Sequence, residues 1–242
     1  MNDIVRHDGI YLRQLLSGRD FAIGDPVAVQ MMNFCYLIGD PATRSAVVVD
    51  PAYQVEDLLA ALAEDSMTIA GVLVTHHHPD HVGGNFAGYS VEGIARLLEK
   101  VDVPVHVNRE ELRWVARSTG VEESCFVSHA DSDRISVGAL EIELIHTPGH
   151  TPGSQCFLAR GRLIAGDTLF LEGCGRTDLP GGDAEAMYDS LTKRLSKVPD
   201  DAVLYPGHRY SAAASASMGE TRSRNYVLRP ATLEQWMASF GA

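Results

Sequence analysis

The chain has 242 residues, enough for one large domain or two small ones with buried cores. Hydrophobic residues make up 45% of it and charged residues 21%, which is ordinary for a globular protein. The formal net charge of -12 argues against binding nucleic acid through bulk charge, although it leaves room for a local basic pocket.

The first half of the chain predicts alternating strands and helices. Two apolar runs flank a polar turn at Pro41, and this pattern indicates paired strands. From Val55 onward, apolar residues recur at helical spacing. The predicted elements are strands at 33–39 and 46–50, a helix from 55, a buried strand at 69–75, an amphipathic helix at about 91–100, a strand at 103–107 and a helix at 110–117.

The second half changes period. Leu140, Ile142 and Leu144 alternate with glutamates, which predicts a strand with one wet face. The remaining predictions are a hairpin at 154–170 turning at Arg160-Gly161, a helix from about Asp183, a strand at 202–208 and a C-terminal helix with Thr232 and Gln235 at capping-box spacing. Two successive batches of strands and helices predict a single α/β or α+β domain over residues 1–242, with two sheets covered by helices.

The apolar runs, the N-terminal charges and the cysteine spacing bear on the cellular compartment and on membrane association. No apolar run reaches the length of a membrane span, and charges come too early in the N-terminal segment for a signal peptide. The four cysteines are far apart and form no Cys-x-x-Cys pair: Cys35, Cys125, Cys156 and Cys174. We therefore expect reduced thiols, a cytoplasmic location and no membrane partner.

The segment THHHPDH, residues 75–81, concentrates four histidines and an aspartate behind a predicted strand. Three later segments repeat this arrangement, with apolar residues leading into a Gly-containing loop that carries His or Asp. These segments are ELIHTPGHTPGS with His146 and His150, RLIAGDTLF with Asp167, and VLYPGHRYS with His208. Imidazole and carboxylate groups converging from several loops indicate a divalent metal such as zinc, iron or manganese.

The register of the cluster assigns roles within it. Residues two apart in an extended loop point the same way, so His76 and His78 could bind one ion while Asp80 and His81 reach a second. His77 points the other way, and we interpret it as a bystander or a supporting group. Nothing around His7, His106 and His129 indicates a site, so we interpret these three as ordinary core or surface histidines.

The pattern His76-x-His78-x-Asp80-His81 resembles the HxHxDH signature of the metallo-β-lactamase-fold superfamily. The TPGHT, AGDTLF and YPGH segments resemble the other ligand motifs of that superfamily, in the same order, and the resemblance extends from about residue 33 to residue 230. It implies a four-layer αββα sandwich and two divalent metal ions, with zinc expected first and iron or manganese as alternatives.

Carried over position by position, the resemblance implies the following ligands: His76, His78 and His150 for the first ion, Asp80, His81 and His208 for the second, and Asp167 bridging both. Asp50 matches a position that supports the site without binding metal. His146 matches no ligand, and we expect it to have a structural or supporting role.

The segment LFLEGCGRTDLPGGD, followed by VLYPGHRYS, is similar to glyoxalase II, which hydrolyses glutathione thioesters, and to its sister group, the persulfide dioxygenases. Arg176 and Tyr210 match residues that contact the thiol carrier in glyoxalase II. Thr177-Asp178 is closer to the dioxygenases, and the basic C-terminal extension that holds glutathione is not evident. Another small thiol or coenzyme A could therefore be the carrier.

The helix predicted at about 91–100 and the thiol of Cys174 each have two interpretations. The helix predicted at about 91–100 either shapes the substrate entrance or packs at the periphery. Cys174 shares the loop of Arg176, and we interpret it as a buried structural thiol rather than a reactive one.

The resemblance favours a hydrolase of small-molecule thioesters, in which two ions hold a bridging hydroxide and no protein nucleophile is needed. One alternative is a persulfide dioxygenase with a single iron bound by the matches His76, His150 and Asp167. Another is hydrolysis of a lactone or a different ester or amide. The full ligand set together with PGHRY favours the thioesterase. The sequence predicts no nucleic-acid partner and leaves the oligomeric state open.

Overall fold

The computed structural model describes the backbone of residues 4–5 and 8–240 and the side chains of residues 8–240. His7, which we interpreted as ordinary, lies outside the described residues. Two sheets pack face to face, and helices cover both outer faces. The predicted four-layer αββα sandwich is therefore confirmed.

The strands follow one another along the chain as β1 (Ile4–Val5), β2 (Tyr11–Leu16), β3 (Phe34–Asp40), β4 (Ser45–Val49), β5 (Thr68–Leu73), β6 (Gly84–Phe86), β7 (Tyr89–Val91), β8 (Val105–Asn108), β9 (Phe126–His129), β10 (Arg134–Val137), β11 (Leu140–His146), β12 (Gln155–Ala159), β13 (Arg162–Gly166), β14 (Val203–Pro206) and β15 (Ala216–Ser217). The first sheet has the order β1-β2-β3-β4-β5-β8-β9, the second runs from β10 to β15 in sequence order, and β6 pairs with β7.

The helices are α1 (Pro26–Met31), α2 (Val55–Glu64), α3 (Pro79–Val82), α4 (Ile94–Leu98), α5 (Leu112–Thr119), α6 (Ala184–Asp189), α7 (Met218–Arg224) and α8 (Leu233–Phe240). A π-helical turn, Ser190–Arg194, continues α6, and short 3₁₀ segments occupy Glu123–Cys125, Leu195–Lys197 and Tyr226–Leu228. None of the helices in the described part of the chain has the length and hydropathy that crossing a bilayer would require.

The core between the sheets explains the continuous apolar runs in the sequence. Phe34, Tyr36 and Ile38 of β3 face the second sheet, whereas Cys35 and Leu37 face the outer helices. A strand that is buried on both faces needs apolar residues at every position. The outer layers complete this packing, with α2, α4 and α5 on the first sheet and α6, α7 and α8 on the second.

The four ligand-bearing segments all follow strand ends. The loop at 75–81 follows β5, the loop carrying His150 follows β11, Asp167 comes directly after β13, and His208 lies two residues after β14. Because β13 and β14 are parallel neighbours, their carboxyl ends lie side by side, and the Gly207 backbone nitrogen donates to Gly166 oxygen at 2.7 Å. The sheet framework thus gathers the polar loops at one edge of the sandwich.

The helix predicted at about 91–100 is wrong at its start. Val91 belongs to β7, which pairs with β6 in a short hairpin, and the helix covers only Ile94–Leu98. Gly93 has an extended backbone and separates the two elements. Ile94 and Leu97 are buried in the core, so this helix is a packing helix. The β12–β13 hairpin turns as predicted, and Arg160 and Gly161 both have positive φ.

Candidate metal centre

The loop after β5 presents its side chains inward. His76 and His81 are each 1% exposed, and Asp80 is 5% exposed. Pro79 begins α3, and this single turn of helix carries Asp80 and His81. A proline at the first helical position is favourable because its fixed φ suits the helix and the missing N–H would have no partner there.

Six side chains form two sets of metal-type donors. In the first donor set, one ring nitrogen from each of His76, His78 and His150 lies within 4.8 Å of the others. In the second donor set, Asp80, His81 and His208 meet the same criterion. The first set offers three imidazoles and the second two imidazoles and a carboxylate, and both kinds of donor bind zinc, iron or manganese.

Asp167 lies between the two donor sets. Its Oδ2 is 3.7 Å from Nε2 of His150 and 3.3 Å from Nε2 of His208, and its Oδ1 is 3.5 Å from Nε2 of His81. The structure therefore brings together all seven residues that the sequence predicted as ligands. Three segments of the second sheet, carrying His150, Asp167 and His208, meet the loop of the first sheet at this carboxylate.

Two buried atoms at the centre lack partners. Among the described residues, Nε2 of His76 and Oδ1 of Asp167 form no hydrogen bond although both are inaccessible to solvent. A buried polar atom without a partner costs about 1–3 kcal/mol, so native structures rarely leave one unexplained. A cation bound by both donor sets would satisfy these atoms, and the residues present fit a metal centre.

Hydrogen bonds outside the centre orient the ligand rings. Nδ1 of His150 donates to the backbone oxygen of Arg176 at 2.7 Å, and Nδ1 of His208 donates to the backbone oxygen of Met31 at 2.8 Å. Because a carbonyl only accepts, these bonds place the proton on Nδ1. The Nε2 lone pairs of both rings therefore face the centre, as metal binding requires.

Asp50 supports the centre from behind, in agreement with its predicted role. Its Oδ2 lies 2.9 Å from Nδ1 of His81 and accepts the hydroxyl of Thr75 at 2.6 Å. Its Oδ1 accepts the backbone N–H of Thr75 at 2.8 Å. Because both oxygens are engaged, Asp50 fixes the start of the loop and the ring of His81.

His77 and His146 both point away from the centre. Nδ1 of His77 lies 2.6 Å from Oε1 of Glu111, and its ring stacks on Trp114 at 4.9 Å between centroids. Nε2 of His146 lies 2.9 Å from the backbone oxygen of Pro152, which makes it a link within its own loop. Both positions agree with the supporting roles expected from the register.

Sequence reasoning missed three buried polar residues that brace the site: Glu111, Asn33 and Tyr53. Nδ2 of Asn33 donates to Oδ2 of Asp80 at 3.1 Å, and the hydroxyl of Tyr53 donates to Oδ1 of Asn33 at 2.7 Å. The signal available for Asn33 was a polar amide opening an otherwise apolar strand. Glu111 belongs to no motif and carries no comparable signal.

Burial and neighbouring charges divide the histidines into two electrostatic classes. Burial lowers the pKa of His76 and of His150, and burial together with the charge of His150 lowers the pKa of His78 to about 3. Burial also disfavours the charged form of His81, but the carboxylates of Asp167, Asp80 and Asp50 together outweigh burial and raise the pKa of His81 to about 10. The first donor set is therefore neutral, and His81 must release its proton when it binds a cation.

An open cavity of about 470 Å³ lies over the centre; we call it the metal cavity. Met31, Phe86, Phe170 and Leu179 give it an apolar lining. Phe86 comes from the β6–β7 hairpin, so this hairpin rather than α4 shapes the entrance. The aromatic character of the lining suits a ligand with an apolar portion.

The predicted substrate-binding residues both line the metal cavity. Tyr210 is half exposed and stacks on His208 with ring centroids 4.8 Å apart. Arg176 is exposed, and its guanidinium binds Asp178 through two hydrogen bonds of 2.7 and 2.6 Å. Cys174 lines the same cavity, and burial raises the pKa of its thiol to about 12, so it is not a reactive thiolate.

His106 and His129 lie on the neighbouring strands β8 and β9, outside both donor sets. Nδ1 of His106 is 2.8 Å from Nε2 of His129, and Nδ1 of His129 is 3.5 Å from Oδ2 of Asp133. The two rings satisfy each other, which agrees with our interpretation of both as ordinary histidines.

Comparison with known families matches residues 29–208 to the model described as the metallo-beta-lactamase superfamily. The chain belongs to the metallo-beta-lactamase superfamily. Members of this superfamily bind metal ions, and one relative described below is named as a probable zinc-dependent hydrolase.

Three relatives from this superfamily bear on the activity. The chain is 31% identical to the "Probable polyketide biosynthesis zinc-dependent hydrolase PksB" of Bacillus subtilis, over 80% of each protein. It is 38% identical to a hydroxyacylglutathione hydrolase of Rhodopseudomonas palustris, over 75% of this chain and 64% of the relative. It is 29% identical to the human mitochondrial persulfide dioxygenase ETHE1, over 84% of this chain and 76% of the relative.

Among solved structures, ETHE1 from Myxococcus xanthus superposes with a TM-score of 0.75 at 31% identity, covering 95% of this chain and 89% of that one. The superfamily and its fold are thus established. The relatives divide between hydrolysis and oxidation, so they leave the specific reaction to be argued from the site.

Proposed function

We propose that this metallo-beta-lactamase superfamily member is a dinuclear metal-dependent hydrolase of thioesters. The observation that carries the proposal is the position of Asp167 between two complete donor sets, within 3.7 Å of ring nitrogens from both. A carboxylate in that position can bridge two cations. A mononuclear centre would need only one of the two sets.

The second donor set is built as firmly as the first. Asn33 holds Asp80, Asp50 holds His81, and the backbone oxygen of Met31 holds His208. All three ligands are at most 5% exposed. Supporting partners of this kind orient metal ligands, and their presence around the second set favours occupation of both sites.

His76, His78 and His150 would hold one ion, Asp80, His81 and His208 the other, and Asp167 would touch both. When bound, two divalent ions make water a nucleophile at neutral pH and polarise a carbonyl oxygen. The protein fixes the imidazole tautomers of His150 and His208 through their Nδ1 contacts with backbone oxygens. No serine or cysteine nucleophile is required.

We assign thioester carbonyls as the substrate because of the relatives and the cavity. The hydroxyacylglutathione hydrolase relative acts on a thioester by its name, and the zinc-dependent hydrolase PksB supports hydrolysis as the reaction class. The apolar lining of the metal cavity suits an acyl group. Tyr210 and Arg176 line the cavity from one side, where they can contact a small-molecule substrate.

The test combines metal content with turnover. We expect about two ions per chain by mass spectrometry on protein purified without chelators, and hydrolysis of acyl thiols followed by thiol release. His208→Ala should retain about one ion, because only the second donor set is broken. One iron per chain, with the second set empty after zinc is supplied and no thiol released, would reject the proposal.

A persulfide dioxygenase is the second candidate. The human and Myxococcus ETHE1 relatives cover more of this chain than the hydroxyacylglutathione hydrolase does, and the GCGRTD segment is closer to that group. His76, His150 and Asp167 would then hold a single iron in a 2-His-1-carboxylate arrangement. Oxygen uptake with a persulfide, in protein that releases no thiol from thioesters, would establish this candidate.

A further inference from the structure

A second groove, of about 690 Å³, opens beside the metal cavity; we call it the side groove. It shares His78, Pro79 and Leu179 with the metal cavity and is lined further by His77, Trp114 and Arg117. Because His78 belongs to the first donor set, the side groove begins at the reacting centre. A substrate bound there can therefore extend in two directions from its carbonyl.

Part of the side groove is lined by a fixed aromatic surface. Trp114 is half-buried, and its ring stacks on His77 with an interplanar angle of 30°. His77 is held in turn by Glu111 through its ring and its backbone nitrogen. Among the residues that the structure describes, Arg117 is the only lysine, arginine, aspartate or glutamate that lines the groove. An uncharged chain would lie along this surface without losing strong hydration.

Arg117 supplies an available positive charge. It follows Trp114 by three residues on α5, so the two side chains are neighbours on the helix surface. Its guanidinium is exposed and has no hydrogen bond or ion pair with any described residue. The metal cavity differs, because its one arginine, Arg176, is already paired with Asp178.

We propose that the side groove binds the carrier arm of the substrate as a 4′-phosphopantetheine chain, with its phosphate on Arg117. This inference rests on the proposed thioesterase function. The arm is neutral between its thiol and its phosphate, which matches a mainly apolar groove with one cation in its lining. Glutathione instead carries two carboxylates and an ammonium group near its thiol, and the metal cavity offers them only a neutralised arginine.

Two sources present this chemistry, namely coenzyme A and a phosphopantetheinylated carrier protein. Binding of three non-hydrolysable thioethers to the metal-loaded protein tests the assignment by calorimetry: S-ethyl-pantetheine, S-ethyl-4′-phosphopantetheine and S-ethyl-coenzyme A. We expect the phosphorylated arm to bind about tenfold more tightly than the phosphate-free arm, since a charge-assisted contact is added. A further gain with coenzyme A identifies that source, and no further gain identifies a carrier protein.

The decisive variant is Arg117→Gln, with Arg113→Gln as its matched control. Arg113 is exposed on the same helix and does not line the side groove. Arg117→Gln should remove the advantage of the phosphorylated arm, a loss of about tenfold, and Arg113→Gln should retain it. Equal binding of phosphorylated and phosphate-free arms by the unmodified protein, or equal losses in both variants, would overturn the assignment.

Binding and turnover separate the two proposals. Thioether binding that depends on Arg117, without hydrolysis of any thioester, would reject the proposed hydrolase and keep the groove assignment. Hydrolysis of thioesters with no preference for the phosphorylated arm would keep the proposed hydrolase and reject the groove assignment.

Discussion

Glu111 Oε1 lies 2.6 Å from Nδ1 of His77, and the same carboxylate joins two loops of the metal centre. Oε1 also accepts the backbone N–H of His77 at 2.9 Å, and Oε2 accepts that of Gly153 at 2.6 Å. His77 lies between His76 and His78, and Gly153 lies three residues after His150. One buried carboxylate therefore sets the distance between the two loops that form the first donor set.

We predict that Glu111→Ala weakens metal binding by the first donor set about 10–100-fold, because its two loops lose their common anchor. Glu111→Gln keeps one acceptor oxygen and should have an intermediate effect. Competition with a chromophoric chelator measures both affinities. Glu110→Ala, at an exposed neighbouring position, serves as the control. Wild-type affinity in a folded Glu111→Ala protein would show that the carboxylate does not position the ligands.

Asn33 should have the corresponding effect on the second donor set. Asn33→Ala removes the amide that donates to Asp80 and leaves the hydroxyl of Tyr53 without its acceptor. We expect the second ion to bind about tenfold more weakly while the first is unaffected. Metal content after dialysis against graded chelator concentrations separates the two steps. Parallel loss of both ions would contradict this division of labour.

The convergence of the seven predicted ligands could be predicted from the sequence because these residues lie in short local patterns. His76, His78, Asp80 and His81 have a fixed spacing, and His150, Asp167 and His208 each follow an apolar strand and a glycine. The sheet order then brings the strand ends together. The prediction that these segments meet therefore required no knowledge of contacts between distant residues.

Asp50 was predicted as a supporting residue, but Glu111 and Asn33 were not, because their partners are distant in sequence. Glu111 is 34 residues from His77 and 42 from Gly153, and Asn33 is 47 from Asp80. Such pairings depend on tertiary packing that no local pattern encodes. The helix prediction at about 91–100 failed for a related reason. Val91 fits a helical period, but strand pairing with Gly84 in the β6–β7 hairpin fixes its conformation.

Asp178 should limit the affinity of the metal cavity for anionic carriers. Its carboxylate holds the guanidinium of Arg176 through two hydrogen bonds, and this contact lowers the pKa of Asp178 to about 2. Asp178 therefore stays ionised at neutral pH. In Asp178→Asn the guanidinium of Arg176 loses its ion pair and can contact a carboxylate of the substrate. We expect the KM of a glutathione thioester to fall about threefold, the size of effect typical of an exposed ion pair.

The matched substrate for this variant is a pantetheine thioester with the same acyl group. It carries no charge near the thiol, so its KM should not change. Equal changes in KM for the two thioesters would indicate altered loop geometry and would argue against a charge effect.

His106 should make the stability of the protein depend on pH. Burial, with the charge of His129 as the second cause, lowers the pKa of His106 to about 4 from an ordinary value near 6.5. The unfolded chain therefore takes up the proton first as the pH falls. Stability is fully present above about pH 6.5 and is lost progressively down to about pH 4.

We expect His106→Gln to lose less stability than the wild type between pH 7.5 and pH 5, by about 1 kcal/mol after allowance for solvent screening. Urea unfolding of both proteins at the two pH values measures the difference. Both proteins carry the same metal centre, so loss of metal in acid cancels in the comparison. The other charged or titratable groups at this pair are His129, whose Nε2 lies 2.8 Å from Nδ1 of His106, and Asp133, whose Oδ2 lies 3.5 Å from Nδ1 of His129. Identical losses in the two proteins would therefore assign the acid sensitivity to groups other than His106.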